Sequence, residues 1–266
     1  MPWNPSPVSS AAGPFVPEQP PPLLETRGLS KRFGGVLAVD RLDLKVSGGT
    51  VHCVIGPNGA GKSTLFGLIT NFQPVTAGEI FFEGRRITHL PPHQYARLGI
   101  ARKFQVPALF PELTVAQNLL LGREGRRSWL QLARKRPSTE GDDEIREILE
   151  TVRLGPRARA RAGDLSHGEQ QWLEIGVALM SGPRLLLLDE PTGGMSPAET
   201  EATSKLVLEL RDRITMVVVE HDFSFIRRIA DVVTVMHRGA KIAEGTSEEI
   251  ASNATVRDVY LGRHVA

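Results

Sequence analysis

Apolar and polar positions change rhythm several times along this chain, and each rhythm predicts an element. Leu42, Leu44 and Val46 alternate with polar residues, which predicts a half-buried strand over 36–46, with a partner over 23–27. The run Lys31-Arg32-Phe33-Gly34-Gly35 between them reads as a turn carrying an exposed aromatic. Val51-His52-Cys53-Val54-Ile55 is a strand-like run that passes without a gap into a glycine-rich turn and a helix start. Short strands are predicted over 78–83 and 100–105, with a small helix opened by Pro91-Pro92 and ended at Gly99 between them, and a loop at Val106-Pro107. From Thr114 the pattern turns helical, with a charged, interrupted insertion over 122–140. Over 142–154 the residues Ile145, Ile148, Leu149 and Val152 fall at i, i+3, i+4, i+7, one apolar helix face, stopped by Gly155-Pro156. A further helix opens after Asp164-Leu165-Ser166, with Trp172, Ile175, Gly176 and Leu179 on one side.

The continuous apolar runs at 185–188 and 214–219 predict strands buried on both faces. Ser196-Pro197-Ala198-Glu199 is a capping box with proline at the first helical position, and that helix runs to about Arg211. Asp222 caps a helix holding Phe225, Ile226 and Ile229; a closing hairpin spans 232–243, and Thr246 with Glu249 starts a last short helix. Strand–helix alternation on both sides of a helical middle implies an α/β core with an inserted helical lobe. Residues 1–22 are rich in Pro with Ser, Ala and Gly and lack periodicity, so they read as a disordered tail, without the basic and apolar regions of a signal peptide.

Composition narrows the function. The 266 residues allow one large domain or two small ones, and 32 basic against 30 acidic side chains leave a net charge of +2, unlike the basic excess of a dedicated nucleic-acid binder. The basic cluster Arg153, Arg157, Arg159 and Arg161, with Arg134-Lys135-Arg136, reads as a solvated helical face. The single cysteine, Cys53, has no partner for an internal disulfide and fits a buried thiol in a reducing compartment. No apolar run approaches the length of a membrane span, so membrane work would fall to partner chains.

The chemistry concentrates in Gly56-Pro57-Asn58-Gly59-Ala60-Gly61-Lys62-Ser63-Thr64. A strand before it and a helix after it are the context that gives a G-x-x-x-x-G-K-[ST] match its meaning. The glycines let backbone N–H groups close on phosphate oxygens, and the helix start adds its positive dipole end. Lys62 would reach the β- and γ-phosphates of a nucleoside triphosphate, and Ser63 would ligate Mg²⁺. Asp189, at the end of a buried strand, would also hold Mg²⁺; Glu190 beside it could polarise an attacking water.

These residues resemble the ATP-binding cassette (ABC) family. Leu165-Ser166-His167-Gly168-Glu169 is similar to the family's L-S-G-G-Q signature, Gln105 to its Q-loop glutamine, His221 to its switch histidine and Phe33 to the aromatic that stacks on adenine. The order and spacing of these motifs cover 23 to about 250. The resemblance implies a P-loop NTPase (RecA-like) core with an antiparallel β subdomain and an inserted α-helical signature subdomain over about 106–180, all within a cassette of residues 23–266. It implies two cassettes facing head to tail, with ATP between the P-loop of one and Ser166 and the Gly168 backbone of the other. Glu190 would be the general base, His221 would hold phosphate and water in line, and Gln105 would touch Mg²⁺ and that water.

Three positions depart from the family pattern. His167 replaces the second signature glycine and must turn away from the phosphate, Phe33 stands where tyrosine is common, and the stretch 192–197 lacks the usual aspartate, leaving Ser196 to share the cross-dimer contact. Gly99-Ile100-Ala101-Arg102-Lys103-Phe104-Gln105 with Pro107, Leu113-Thr114-Val115 and Asn118, the stretch from Gln171 to Gly176, and the ending Tyr260-Leu261-Gly262 resemble importers of branched-chain amino acids and urea; the Arg-Lys-Phe-Gln run and the short insertion are most similar to the urea type. The resemblance thus implies an ATP-hydrolysing import subunit, peripheral at the cytoplasmic face of the inner membrane. Its partners would be a second cassette, two transmembrane permease subunits and, indirectly, a solute-binding protein. Soluble cassette ATPases acting on nucleic acid or ribosomes are the alternative, but they usually carry two cassettes or a long insertion. A nucleotide-gated module without turnover is disfavoured by the intact Glu190 and His221.

Overall fold

The computed structural model describes residues 21–103, 109–124 and 142–259. The expectations for the N-terminal tail, for Gln105 and the loop after it, for most of the charged insertion and for Tyr260-Leu261-Gly262 lie outside these residues. Two sheets organise the rest. The first is antiparallel, in the order β2 (Val36–Val46), β1 (Leu24–Phe33), β4 (Ala77–Phe82), β5 (Arg85–Arg86). The second runs β10 (Ala240–Gly245), β9 (Val232–His237), β3 (Val51–Ile55), β8 (Thr215–Val219), β7 (Leu185–Asp189), β6 (Ile100–Lys103), parallel except for the β9–β10 hairpin.

Every residue of β3, β7 and β8 is buried, as the continuous apolar runs require, because both faces of this sheet are covered. One face carries Val54, Leu185, Leu187, Val217 and Val219 against α1 (Lys62–Ile69) and the antiparallel sheet. The other carries Cys53, Ile55, Leu186, Leu188 and Val218 against the remaining helices. The helical lobe is built from α3 (Val115–Glu124), α4 (Asp143–Thr151) and α5 (His167–Leu179), after α2 (Pro92–Arg97) in the chain. Ile145 and Leu149 of α4 point into it, and Asp142 caps α4 by accepting from the Ile145 N–H. Beyond it come α6 (Pro197–Arg211), α7 (Phe223–Ile229), α8 (Ser247–Ser252) and α9 (Ala254–Val259). The expected capping boxes at Ser196 and Thr246 are both present, and the Asp222 carboxylate caps α7.

Two local expectations need correction. β1 does not end at residue 27 but continues to Phe33, which is the last residue of a strand and not a turn residue. Its pairing with β2 shifts register three times between Thr26 and Arg32, and those irregularities break the period of two on which a strand is read from sequence. A buried ion pair also escapes any local pattern: Lys103 Nζ at the end of β6 lies 3.3 Å from the Glu174 carboxylate of α5, tying the core sheet to the lobe. On the basic helical face, Arg153, Arg157 and Arg161 pair with Glu209, Glu169 and Glu112, as a solvated surface would.

His52 gives the fold a pH limit. Its ring is buried in β3, with Nε2 2.8 Å from the Thr234 hydroxyl, which itself donates to Glu244 at 2.8 Å. Burial pushes its pKa down to about 4, with Lys241 acting the same way and Glu244 opposing it. The native state therefore holds a neutral ring that the unfolded chain protonates below its ordinary pKa of about 6.5. Stability from this group is present above pH 6.5 and is lost as pH falls towards 4. From pH 7 to pH 5 the loss should be about 2 kcal/mol. Urea melts of the parent and of His52→Gln test it: the variant should lack this share of the slope, and equal slopes would contradict the assignment.

Candidate active site

The parallel sheet brings the predicted chemistry to one edge, the carboxyl ends of its central strands, where open α/β sheets bind ligands. Val219 is the meeting point. It pairs with Val54 of β3, two residues before the glycine-rich loop, and with Asp189 of β7, and its carbonyl accepts from the Glu190 N–H at 2.9 Å. Glu220 and His221 follow it directly. Residues some 165 positions apart in sequence are thereby set side by side.

The loop itself is shaped by close approach. Gly56 (φ +152°) and Gly61 (φ +104°) leave no room for a Cβ, which would strike the Met236 and Ala38 carbonyl oxygens respectively. Pro57 is half-buried and Ala60 buried, while Asn58, Gly59 and Ser63 are exposed at the mouth and Thr64 is half-buried behind it. Lys62 opens α1 and folds back so that Nζ donates to Gly56 O at 2.7 Å and Pro57 O at 3.1 Å. Burial holds its ammonium below the ordinary lysine value, and Glu190 and Asp189 push the other way, so the cation sits in the field of both carboxylates. An ammonium held by two neutral carbonyls is available to a polyanion. Removing it in Lys62→Ala should weaken ATP binding by about 2 kcal/mol, roughly thirtyfold. Nucleotide titration reads this, and an unchanged affinity would contradict the phosphate role.

Asp189 is buried, and Arg102 Nη2 of β6 lies 3.0 Å from its Oδ2. The donors near the loop, the Ser63 hydroxyl and the Asp189 carboxylate, are hard oxygens without thiolate or imidazole, a set suited to Mg²⁺. Glu190 has φ +45°, a left-handed conformation that costs a non-glycine residue about 1–3 kcal/mol and is found where geometry matters. It turns the side chain out of the strand direction, to where its Oε1 is 3.9 Å from His221 Nδ1. His221 is exposed and Glu190 half-buried, so both face the mouth of the site.

Sequence reasoning missed Glu220. Its side chain is fully buried; one carboxylate oxygen accepts from the Thr192 N–H at 3.0 Å and from the Thr192 hydroxyl, and the other accepts from the His221 N–H at 3.0 Å. It thus fastens the loop behind Glu190 to the loop of His221. The one available signal was a carboxylate directly after a buried apolar strand.

Phe33 is 46% exposed at the end of β1, with Lys31 Nζ 4.8 Å from its ring centroid. It pairs with Val36, two residues before the Ala38 carbonyl that abuts Gly61, which brings the end of β1 towards the glycine-rich loop. The signature residues open α5. Ser166 caps α5 by accepting from the Glu169 N–H, and Glu169 accepts from the Ser166 N–H at 2.9 Å. At this helix N-terminus Ser166 and His167 are exposed and Gly168 is buried, with the Glu199 carboxylate of the same chain packed against Gly168 and 3.5 Å from the Ser166 hydroxyl. The His167 ring reaches the loop after Glu190, with Nε2 2.9 Å from Gly193 O. Cys53 is buried and its thiol is pushed up by that burial, which makes it inert. Among the described residues no helix is long and apolar enough to cross a membrane.

Known proteins place this geometry. The ABC transporter family profile matches residues 39–193, and that of the branched-chain amino acid ATP-binding cassette transporter matches 240–266. The chain is 40% identical over 250 residues to the high-affinity branched-chain amino acid transport ATP-binding protein BraF of Pseudomonas aeruginosa, covering 91% of this chain and 98% of that protein. It is 38% identical to LivG of Escherichia coli over the same shares. Among solved structures, the ADP conformation of MJ1267, an ATP-binding cassette of an ABC transporter, superposes with a TM-score of 0.80 at 35% identity, over 91% of this chain and 99% of that one. A nucleotide-free cassette gives 0.79 at 33% identity. With a P-loop and an acidic strand end meeting at Val219, the chain is an ATP-binding, ATP-hydrolysing subunit of the ABC transporter family.

Proposed function

We propose that this chain powers an importer of small nitrogen-containing solutes, branched-chain amino acids or urea, through separate transmembrane permease subunits at the cytoplasmic face of the membrane. A solute-binding protein would deliver the cargo, and a second cassette, a copy or a relative, would face this one. The names of BraF and LivG favour amino acids, while the run Arg102-Lys103-Phe104-Gln105 is similar to urea-type subunits. Cargo recognition lies in the other chains.

The observation that carries the catalytic reading is the convergence on Val219 of the P-loop strand, Asp189 and the Glu190 N–H, with His221 Nδ1 3.9 Å from Glu190. In this reading the backbone from Gly56 to Thr64 wraps the phosphates of ATP, Lys62 swings from its two carbonyls to the β- and γ-phosphates, and Phe33 stacks on adenine. Ser63, Asp189 and Gln105 would hold Mg²⁺, which would supply positive charge beside the phosphate oxygens. Glu190 takes the proton of the attacking water, and His221 holds that water and the γ-phosphate in line. The partner's Ser166 hydroxyl and Gly168 backbone reach the same phosphate from across the dimer. Copurification tests the assembly: tagged chain should bring down permease subunits, and vesicles made from that complex should accumulate labelled leucine or urea only with ATP. A chain that recovers no membrane partner would contradict the transport reading.

A further inference from the structure

The departure at His167 has a structural counterpart. His167 is the first residue of α5, and its ring leaves the helix start towards the loop that follows Glu190, with Nε2 2.9 Å from Gly193 O. A carbonyl only accepts, so this contact places the ring proton on Nε2, and the Gln171 side-chain amide lies 3.4 Å from the same nitrogen. Gly194 (φ +74°) packs directly on the ring: a Cβ there would come within 3.2 Å of it, so the loop is shaped to receive the imidazole. The same Gly193 is held from the opposite side, because its N–H donates to Glu190 O at 3.2 Å. One peptide unit of separation therefore joins the signature helix to the residue placed as general base. The preceding residue, Thr192, is the one fastened to Glu220 and through it to the His221 N–H. Two further contacts tie α5 to α6, Ser166 Oγ to Glu199 at 3.5 Å and Trp172 Nε1 to Thr203 Oγ1 at 2.9 Å, and the second reaches the loop only indirectly, through Thr203 Oγ1 and Met195 Sδ at 3.3 Å.

We propose that His167 is a positioning residue that latches the signature helix to the loop behind Glu190 within one chain, so that the placement of the lobe sets the placement of Glu190. The coupling half of this statement rests on the catalytic reading given above; the latch itself does not. A glycine at this position offers no such contact, and the lobe would then move without carrying the loop.

Two variants of the full chain test it. His167→Ala removes the donor and keeps a good helix former, while His167→Gln places an amide nitrogen close to where Nε2 lies. Hydrogen exchange without nucleotide should be about fivefold to tenfold faster at the Gly193 and Met195 amides of His167→Ala, the expected effect of losing one neutral hydrogen bond. The kcat for ATP should fall severalfold with KM unchanged, and His167→Gln should recover both. Unchanged exchange in His167→Ala overturns the latch. Faster exchange with an unchanged kcat, or a kcat in His167→Gln no better than in His167→Ala, overturns the coupling. A Glu190→Gln chain that keeps ATP turnover within tenfold of the parent would strike the catalytic reading instead, and leaves the exchange result to decide the latch.

Discussion

Glu190→Gln should lower ATP turnover by about a thousandfold while leaving ATP affinity close to that of the parent chain. A glutamine keeps the size and polarity of the side chain but cannot take a proton from water, and general-base catalysis contributes about 10²–10⁴-fold. The backbone reasons for the loop's shape survive the change. The Glu190 N–H still donates to Val219 O and its carbonyl still accepts from Gly193, because neither bond involves the side chain. Lys62, the proposed phosphate ligand, loses one nearby carboxylate, and Asp189 remains. Steady-state phosphate release and nucleotide titration on the same preparation separate the two quantities. Turnover retained within tenfold would mean that another group activates the water.

Glu220→Ala should be the most damaging substitution outside the nucleotide-contacting residues. The side chain is fully buried and its carboxylate satisfies three donors, the Thr192 N–H, the Thr192 hydroxyl and the His221 N–H. Truncation leaves buried donors without an acceptor, at about 1–3 kcal/mol for each one that stays dry, and removes a side chain from a closed space. A loss of about 3 kcal/mol in stability follows, large against a total of about 5–15 kcal/mol. The functional loss should exceed what instability explains. With the bridge gone, the loop behind Glu190 and the loop of His221 are no longer held together, and kcat should fall at least tenfold at temperatures where the variant is still folded. Glu220→Gln, which keeps one carbonyl acceptor, should sit between. Thermal melts and kcat measured below the melting transition check both parts, and an alanine variant with parental kcat would remove Glu220 from the site.

The contrast between Glu220 and the P-loop shows what a sequence can carry. Gly56 to Thr64 is a contiguous stretch whose shape and chemistry are both local, so the residue types alone announce it. Asp189 and Glu190 were legible for a similar reason, since four leucines mark the strand they end. Glu220 stands between a valine and a histidine, and nothing nearby says that its partner is Thr192 of another loop. Lys103 and Glu174 likewise read as two surface charges until the lobe folds onto β6 and buries both. Phe33 was found as an exposed aromatic near the right place, but the strand leading to it was not, because the register shifts in β1 erase the alternation. His167 was legible as a side chain that must leave the phosphate face; that it would find Gly193 depended on the left-handed turn at Gly194.

In the proposed sandwich a second cassette completes the site, with its Ser166 and Gly168 facing the P-loop of this chain. The mass of the Glu190→Gln chain in solution, measured by light scattering on a sizing column with and without ATP and Mg²⁺, tests this most directly. A sandwich of two copies doubles the mass from 29.1 kDa when ATP is present and returns it to that value with ADP. A chain that binds ATP yet keeps the monomer mass would contradict the head-to-tail sandwich between copies of this subunit.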